Sequence, residues 1–130
     1  ENRRHNDNAL YVKGPQFYGV GAVLFGLIIV IAVYLNYPSY GTVFLPGGEK
    51  YTGEFRGSTF HGHGTYETLG AVYTGDFRYG RFDGEGKMTF YNGSFYEGEF
   101  SKGFLNGKGR MHFADGREMV GIWKNGVYQE

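Results

Sequence analysis

The feature that most constrains this chain is an aromatic motif that recurs at nearly constant spacing. The pattern tyrosine, any residue, glycine, acid, phenylalanine begins at Tyr51, returns 22 residues later at Tyr73 and returns again after 23 residues at Tyr96. Self-similarity at such a period is typical of a stacked array of short units, each packed mainly against its neighbours. The C-terminal part of the chain is therefore predicted to be a repeat array.

Each unit has the pattern of an antiparallel β-hairpin. In the second unit Tyr73, Gly75 and Phe77 alternate with polar residues, which places these three on one face of a strand. Gly80 and Gly84 are predicted to bracket a turn, after which an alternating return strand follows. The unit therefore reads as strand, turn and strand.

Glycine has two further roles in this reading. Asn92-Gly93 is typical of a two-residue turn and predicts a tight turn into the next hairpin. Gly75 leaves a flat site on its strand, which a ring from a neighbouring hairpin can cover. The chain has 24 Gly, but its 12 Tyr and 12 Phe supply the buried area that glycine lacks, unlike a flexible Gly-rich linker.

These motifs resemble the MORN (membrane occupation and recognition nexus) repeat family. The family pattern runs roughly Tyr-x-Gly-Glu/Asp-Phe/Trp-x-x-Gly-x-x-x-Gly-x-Gly, and the resemblance covers residues 41–128. It implies a mainly β fold, an elongated antiparallel sheet of stacked hairpins. It divides the array 38–128 into a partial repeat 41–50, repeats 51–72, 73–95 and 96–118, and a partial repeat 119–128.

The outer copies depart from the pattern. In the first copy the glycine is Gly57, one place early, and the copy is one residue shorter, which leaves the turn after Phe55 open. In the last copy Met119 occupies the tyrosine place and Ile122 the acidic place. Atypical ends suit a stacked array, because each terminal hairpin lacks one neighbour.

The resemblance also implies which residues carry the repeats. The predicted repeat core consists of Tyr51, Phe55, Tyr73, Phe77, Tyr96, Phe100 and Trp123. The predicted repeat glycines are Gly53, Gly75, Gly80, Gly84, Gly86, Gly98, Gly103, Gly107, Gly109 and Gly121.

An apolar segment precedes the array. Residues 17–35 are nineteen residues without a charge, and about twenty such residues span a bilayer as a helix. Tyrosines flank the segment as in interfacial aromatic belts, and Pro38 ends it. We therefore predict a polar tail over residues 1–16 and a transmembrane helix over residues 17–37, in preference to a signal peptide core or a buried soluble helix. Small residues that could form a helix-packing face are Gly19, Gly21, Ala22 and Gly26.

The flanking charges predict an orientation for this span. Arg3, Arg4 and Lys13 precede it, whereas the first basic residue after it is Lys50. The positive-inside rule places the N-terminus on the cytoplasmic side, or on the matrix side in a mitochondrion.

The histidines offer one possible metal site. In His61-Gly62-His63 an extended backbone would place both imidazoles on one face of the strand. A metal site needs further ligands, and His112 lies two repeats away. The interpretation adopted is structural, and no metal or cofactor is predicted.

The acids that recur once per hairpin are Glu54, Asp76 and Glu99. Catalytic carboxylates need an asymmetric cleft that separates their pKa values, and a periodic row does not provide one. The acids are instead predicted to pair with basic neighbours, namely Arg56, Arg78 and Lys102. The chain also lacks a nucleophile triad and a phosphate-binding loop, so no enzyme activity is predicted.

The charge balance bears on possible ligands. Residues 41–130 hold ten Lys and Arg against eleven Asp and Glu, and the signs alternate along the sequence. Neither nucleic acid nor anionic lipid is favoured by this count, since both select a basic excess or cluster. No small-molecule substrate is predicted either.

These features together predict a non-catalytic, membrane-anchored scaffold or accessory subunit that binds the other subunits of a membrane protein complex through its helix and its sheet. The absence of cysteine and the start at Glu1 favour a mitochondrial inner-membrane setting. One alternative is a lipid-binding membrane tether that resembles junctophilin-like proteins. The other is a small metal-binding subunit at His61 and His63.

Overall fold

The repeats form one nine-stranded antiparallel sheet in which the strands follow chain order. The computed structural model describes residues 37–130. The strands are β1 (Pro38–Phe44), β2 (Lys50–Arg56), β3 (Thr59–Glu67), β4 (Ala71–Arg78), β5 (Arg81–Phe90), β6 (Phe95–Ser101), β7 (Phe104–His112), β8 (Glu118–Lys124) and β9 (Val127–Gln129). The predicted antiparallel sheet of stacked hairpins is confirmed.

The N-terminal predictions concern a different part of the chain. The tail 1–16, nearly all of the span 17–37 and the packing residues Gly19, Gly21, Ala22 and Gly26 lie outside the described residues. Between Tyr37 and Glu130 no helix has the length and apolar character needed to cross a membrane.

The turn of the second hairpin comes earlier than the glycine pattern predicts. Tyr79 and Gly80 alone connect β4 to β5, with φ angles of 50° and 78°. Two consecutive positive φ values define the type I′ turn that suits the twist of a hairpin. Gly84, predicted to close the turn, lies within β5 instead, with a φ of 114°.

The first hairpin also has a two-residue turn, made by Gly57 and Ser58. Gly57 has a φ of 61° and Ser58 does not have a positive φ, the combination of a type II′ turn, which needs glycine first. The turn is therefore not the part of this copy that is one residue shorter; the link that follows it is. Residues 68–70 link the first full repeat to the second, whereas the next link uses four residues, 91–94.

The link at Asn92-Gly93 is longer than the predicted two-residue turn. The Gly93 N–H donates to the Phe90 carbonyl at 3.0 Å, and the Phe90 N–H donates to the Ser94 carbonyl at 2.8 Å. The Asn92 side-chain oxygen accepts from the Ser94 N–H at 2.9 Å. Asparagine thus closes a local side-chain turn inside a four-residue loop.

Aromatic rings cover one face of the sheet and form its core. Each repeat tyrosine meets the phenylalanine of its own repeat and the corresponding aromatic residue of the next one edge-on, as Tyr73 does with Phe77 at 5.1 Å and with Phe100 at 5.0 Å. The same tyrosine stacks on Phe82 of the return strand at 4.0 Å. Each such pair contributes about 0.5–1.5 kcal/mol beyond its buried area. The ring contacts therefore join successive repeats as well as the strands of one repeat. The buried apolar residues are Val43, Tyr51, Phe55, Tyr73, Phe77, Tyr96, Phe100 and Trp123.

Candidate functional site

A row of glycines crosses the sheet beneath the tyrosine rings. Glycines from eight consecutive strands are aligned by the strand register, namely Gly41, Gly53, Gly64, Gly75, Gly86, Gly98, Gly109 and Gly121. In the second repeat a Cβ on Gly86 would lie 2.6 Å from Cε2 of Tyr73. The ring that covers Gly75 and Gly86 thus belongs to their own hairpin and not, as the sequence suggested, to a neighbour.

The tyrosine hydroxyl groups end on the backbone of the same hairpin. Tyr51, Tyr73 and Tyr96 donate to the carbonyl oxygens of Glu54, Asp76 and Glu99 at 2.6, 2.7 and 3.0 Å. Burial, and secondarily the nearby acid, raises the pKa of all three tyrosines, that of Tyr96 to about 12. These phenols are therefore neutral hydrogen-bond donors at physiological pH.

The repeated acids bind backbone, which corrects the predicted pairing with Arg56, Arg78 and Lys102. In each of the three full repeats the strand register shifts between the repeat glycine and the repeat phenylalanine, as between Gly75 and Phe77. This bulge leaves N–H groups without ladder partners. Side-chain oxygens of Glu54, Asp76 and Glu99 accept from the N–H groups of His63, Glu85 and Lys108, at 2.7, 3.1 and 2.5 Å.

Glycine lets the acid reach the bulge. Gly84 has a φ of 114°, and a Cβ there would lie 2.7 Å from Oδ2 of Asp76. Gly62 and Gly107 occupy the same place beside Glu54 and Glu99. The acids, the tyrosines, the glycines beneath the rings and the glycines beside the acids thus all make their contacts within the hairpins. A binding surface therefore has to come from other positions.

His61 and His63 contact different groups. The His63 Nδ1 lies 3.5 Å from Oδ1 of Asp76, whereas the His61 Nδ1 accepts from the Tyr79 N–H at 3.5 Å. Gly62 between them has a φ of 78°, which interrupts the alternation of an extended strand. Over residues 37–130 no cluster of three or more potential metal ligands occurs.

In the last hairpin a tyrosine from the return strand covers the glycine row. Tyr128 on β9 covers Gly121, since a Cβ there would lie 3.0 Å from its ring, and its hydroxyl donates to the Val120 carbonyl at 3.2 Å. The ring of Tyr128 also packs edge-on against Trp123 at 5.3 Å. Met119 in the tyrosine place is thereby compensated from the return strand.

The four hairpin turns lie along one edge of the sheet, which we call the tip edge and define as residues 56–59, 78–81, 101–104 and 124–127. Each later turn is bonded to the hairpin before it, since the N–H groups of Gly80, Gly103 and Gly126 donate to carbonyl oxygens of the preceding hairpin at 2.9 Å. The strand spacing places successive turns about 10 Å apart, so four of them extend over about 29 Å.

The tip edge is basic. It contains five exposed cationic side chains and no acidic residue: Arg56, Arg78, Arg81, Lys102 and Lys124. Within the described part of the chain none of the five forms an ion pair. Nearby Asp83 accepts from the backbone N–H of Lys102 at 3.2 Å. The side chains at this edge therefore carry a formal charge of +5.

Exposed apolar side chains alternate with these cations. Tyr79 is 72 % exposed, Phe104 54 % and Val127 62 %, each within or beside a turn. The opposite edge also exposes large apolar side chains, Leu69 at 81 % and Tyr91 at 91 %, so the cations are what distinguish the tip edge. The tip edge is the strongest candidate functional surface among the described residues.

The opposite edge, formed by the links between repeats, has a different charge. Residues 45–49, 68–70, 91–94 and 113–117 contain Glu49, Asp115 and Arg117, and the last two form an ion pair at 2.7 Å. We call this the link edge. The two long edges of the sheet therefore differ in charge although the sequence as a whole is balanced.

A groove on the outer face, the face away from the aromatic core, is a second candidate surface. It has a volume of about 670 Å³ and lies between strands β5 and β8. Glu97, Lys108 and Arg110 line it together with Val120 and Ile122. Its charges are of both signs and its apolar wall is short, so it selects no ligand class.

Comparison with known families agrees with the repeat geometry. The MORN repeat profile matches residues 51–67, 73–95 and 96–116. No curated protein matches the chain. MORN repeats point to interaction with proteins or with membrane lipids. Residues 51–116 of this chain are therefore three consecutive MORN repeats.

Proposed function

We propose that this chain is a non-catalytic, membrane-anchored accessory or scaffold subunit of a membrane protein complex. One observation carries the proposal: the polar residues that define each repeat are hydrogen-bonded inside their own hairpin. The repeats thus build a rigid sheet and leave its edges and outer face for binding. That division of roles fits a binding module.

The anchor in this proposal is the apolar segment 17–37, with its N-terminus on the cytoplasmic or matrix side. The sequence supports it by nineteen uncharged residues and by the flanking arginines and tyrosines. The setting we infer is the mitochondrial inner membrane, on the absence of cysteine. The partners are the other subunits of the complex, contacted by both the helix and the sheet.

A membrane tether is the second candidate, and the basic tip edge favours it. Five cations on one edge satisfy the requirement for a basic cluster that the sequence count did not meet. A metal-binding subunit at His61 and His63 has no such support, because the two rings contact different groups.

The anchor can be tested for a specific packing role with two variants of the full chain. Gly26→Leu keeps the span hydrophobic but fills the groove that small residues offer to a partner helix. Ile29→Leu is the matched control, since it changes side-chain shape but not groove depth. We expect both variants to reach the membrane equally and only Gly26→Leu to be lost from the complex purified in mild detergent.

Two results would contradict the proposal in different ways. Equal retention of both variants would show that the span does not recognise a partner helix. Purification of the unmodified chain without any companion protein would contradict the accessory-subunit role itself.

A further inference from the structure

Four of the five cations of the tip edge face the same side of the sheet. Arg56, Arg78 and Lys124 each follow the buried ring of their strand by one residue, so strand alternation turns them to the outer face. Arg81 is directly opposite Arg78 and shares that face. From Arg56 on β2 to Lys124 on β8 the cations form a row that crosses six strand spacings, about 29 Å.

The stability of the sheet does not explain this row. Arg78 and Arg81 are paired across the second turn, where like charges directly opposite each other destabilise a strand pair. Between Tyr37 and Glu130 neither arginine forms an ion pair that would offset the repulsion. An anionic group bound from outside the sheet would neutralise both side chains.

The row of cations is narrow, because acids lie directly behind it on the outer face. Glu54 and Asp76 precede Arg56 and Arg78 by two residues, about 7 Å along the strand. Glu99 holds the same place in the third hairpin. These acids would repel a broad anionic ligand that covered the outer face as well as the edge, such as a nucleic-acid duplex. The charge pattern therefore favours a ligand about one chain wide.

The spacing of the row favours an extended polypeptide. Successive turns lie about 10 Å apart. A polyproline II segment has three residues per turn and rises about 3.1 Å per residue, so every third side chain faces the same way at intervals of about 9.3 Å. A segment of about ten residues with an acid at every third position would thus bring a carboxylate to each turn. Arginine binds carboxylates through two parallel hydrogen bonds, which suits the pair at the second turn.

Another copy of this chain does not provide such a segment. No stretch of ten residues in the sequence contains four acids. The acids that recur in the repeats are also hydrogen-bonded to backbone N–H groups of their own hairpins. The occupant of the row is therefore a different protein.

We propose that the tip edge binds an extended acidic segment of a partner protein, about ten residues long, laid across the four hairpin turns. The inference rests on the accessory-subunit role proposed above, and it adds the surface and the chemistry of the contact. Arg78 and Arg81 hold the carboxylate at the second turn, and Arg56, Lys102 and Lys124 hold those at the other three.

The test measures the binding of a synthetic peptide to the full chain held in uncharged detergent. The probe, called the spaced peptide, is four Glu-Ser-Pro units with a neutral fluorophore, and fluorescence anisotropy follows its binding at low salt, where charges are screened least. One control peptide has glutamine in place of glutamate, and another has the same composition with its glutamates adjacent. The variant Arg78→Gln with Arg81→Gln is matched by Lys108→Gln with Arg110→Gln, which removes two exposed cations from the groove on the outer face.

We expect the spaced peptide to bind and the glutamine peptide not to bind. One exposed ion pair changes a binding constant by about 1.4- to fivefold, so loss of both tip-edge arginines should weaken binding by about 2- to 25-fold. That variant should stay folded, because it removes a pair of like charges. The groove variant should bind the spaced peptide as the parent does, and the peptide with adjacent glutamates should bind more weakly than the spaced one.

The proposal would be overturned by no binding of the spaced peptide, or by an equal loss of affinity in the two double variants. Displacement of the peptide by phosphatidylserine added to the micelles would assign the edge to lipid, and displacement by a short oligothymidine would assign it to single-stranded nucleic acid. Equal binding of the two glutamate peptides would overturn the extended fit. None of these results depends on the complex: companion proteins that purify with a chain unable to bind the peptide would leave the accessory role standing and place its contact elsewhere.

Discussion

Gly86→Ala tests the packing of tyrosine on the glycine row. The added Cβ would lie 2.5 Å from the Tyr73 hydroxyl oxygen and 2.6 Å from its Cε2, closer than real Cβ contacts. The ring cannot yield easily, because it is 1 % exposed, stacks on Phe82 at 4.0 Å and donates to the Asp76 carbonyl at 2.7 Å. Gly86 does not have a positive φ, so the cost is steric and not conformational.

The magnitude follows from two known costs. Overpacking a core costs about 1–3 kcal/mol, and complete loss of a buried aromatic ring costs about 3–5 kcal/mol. We expect Gly86→Ala to lower the free energy of unfolding by about 3 kcal/mol. For a domain of this size that corresponds to a fall in Tm of about 12–24 °C. The fluorescence of Trp123, the only tryptophan, reports unfolding in the intact protein.

The control is Gly70→Ala. Nothing lies within 4 Å of its added Cβ, and Gly70 does not have a positive φ. The substitution should stabilise the sheet by about 0.4–1 kcal/mol, because alanine restricts the unfolded chain. In a Tyr73→Ala background the cost of Gly86→Ala should nearly vanish, since the colliding ring is gone. A melting temperature of Gly86→Ala equal to that of the parent would refute the reasoning.

Two further predictions concern charge and pH. Arg81→Glu should stabilise the sheet by about 0.2–1 kcal/mol, because the new carboxylate pairs with Arg78 on the opposite strand, and it should weaken binding of the spaced peptide. Urea unfolding and peptide binding measure the two effects. A variant that is less stable than the parent would contradict the prediction. The raised pKa values of Tyr51, Tyr73 and Tyr96 favour the neutral phenols in the folded state, so stability should hold up to about pH 10 and be lost as the pH rises toward about 12; phenolate absorbance that appears without loss of the fold would contradict it.

Periodicity made most of the sheet predictable. Strand β4 and its alternation of Tyr73, Gly75 and Phe77 toward one face follow from the pattern alone. The turn did not, because Gly84 resembles a turn glycine in sequence while its positive φ serves a bulge. The repeated acid of this strand, Asp76, was expected to pair with Arg78, which follows it by two residues on the same face of the strand. Unpaired N–H groups of the bulge lie closer to it than the guanidinium does.

The basic edge was hidden by reading charge along the chain. Arg56 and Arg78 are 22 residues apart in sequence, and acids lie between them. Counted along the sequence, the positive and negative charges therefore nearly cancel. Folding places every second loop on the same side, and acids near the turns are bound to backbone. A count of charge by position within the repeat, instead of by sequence window, would have revealed the row.

The order of the strands has a mechanical consequence. Every strand pairs only with its neighbours in sequence, and the first and last strands lie at opposite ends of the sheet. Tension between the N-terminal strand and a partner held at the C-terminal end pulls across the strands, along the direction of the ladder hydrogen bonds. Such a load opens one ladder at a time, as in peeling, and never shears a whole strand at once. The sheet therefore opens one strand pair at a time at low force, which suits holding a bound molecule in position better than transmitting a pull.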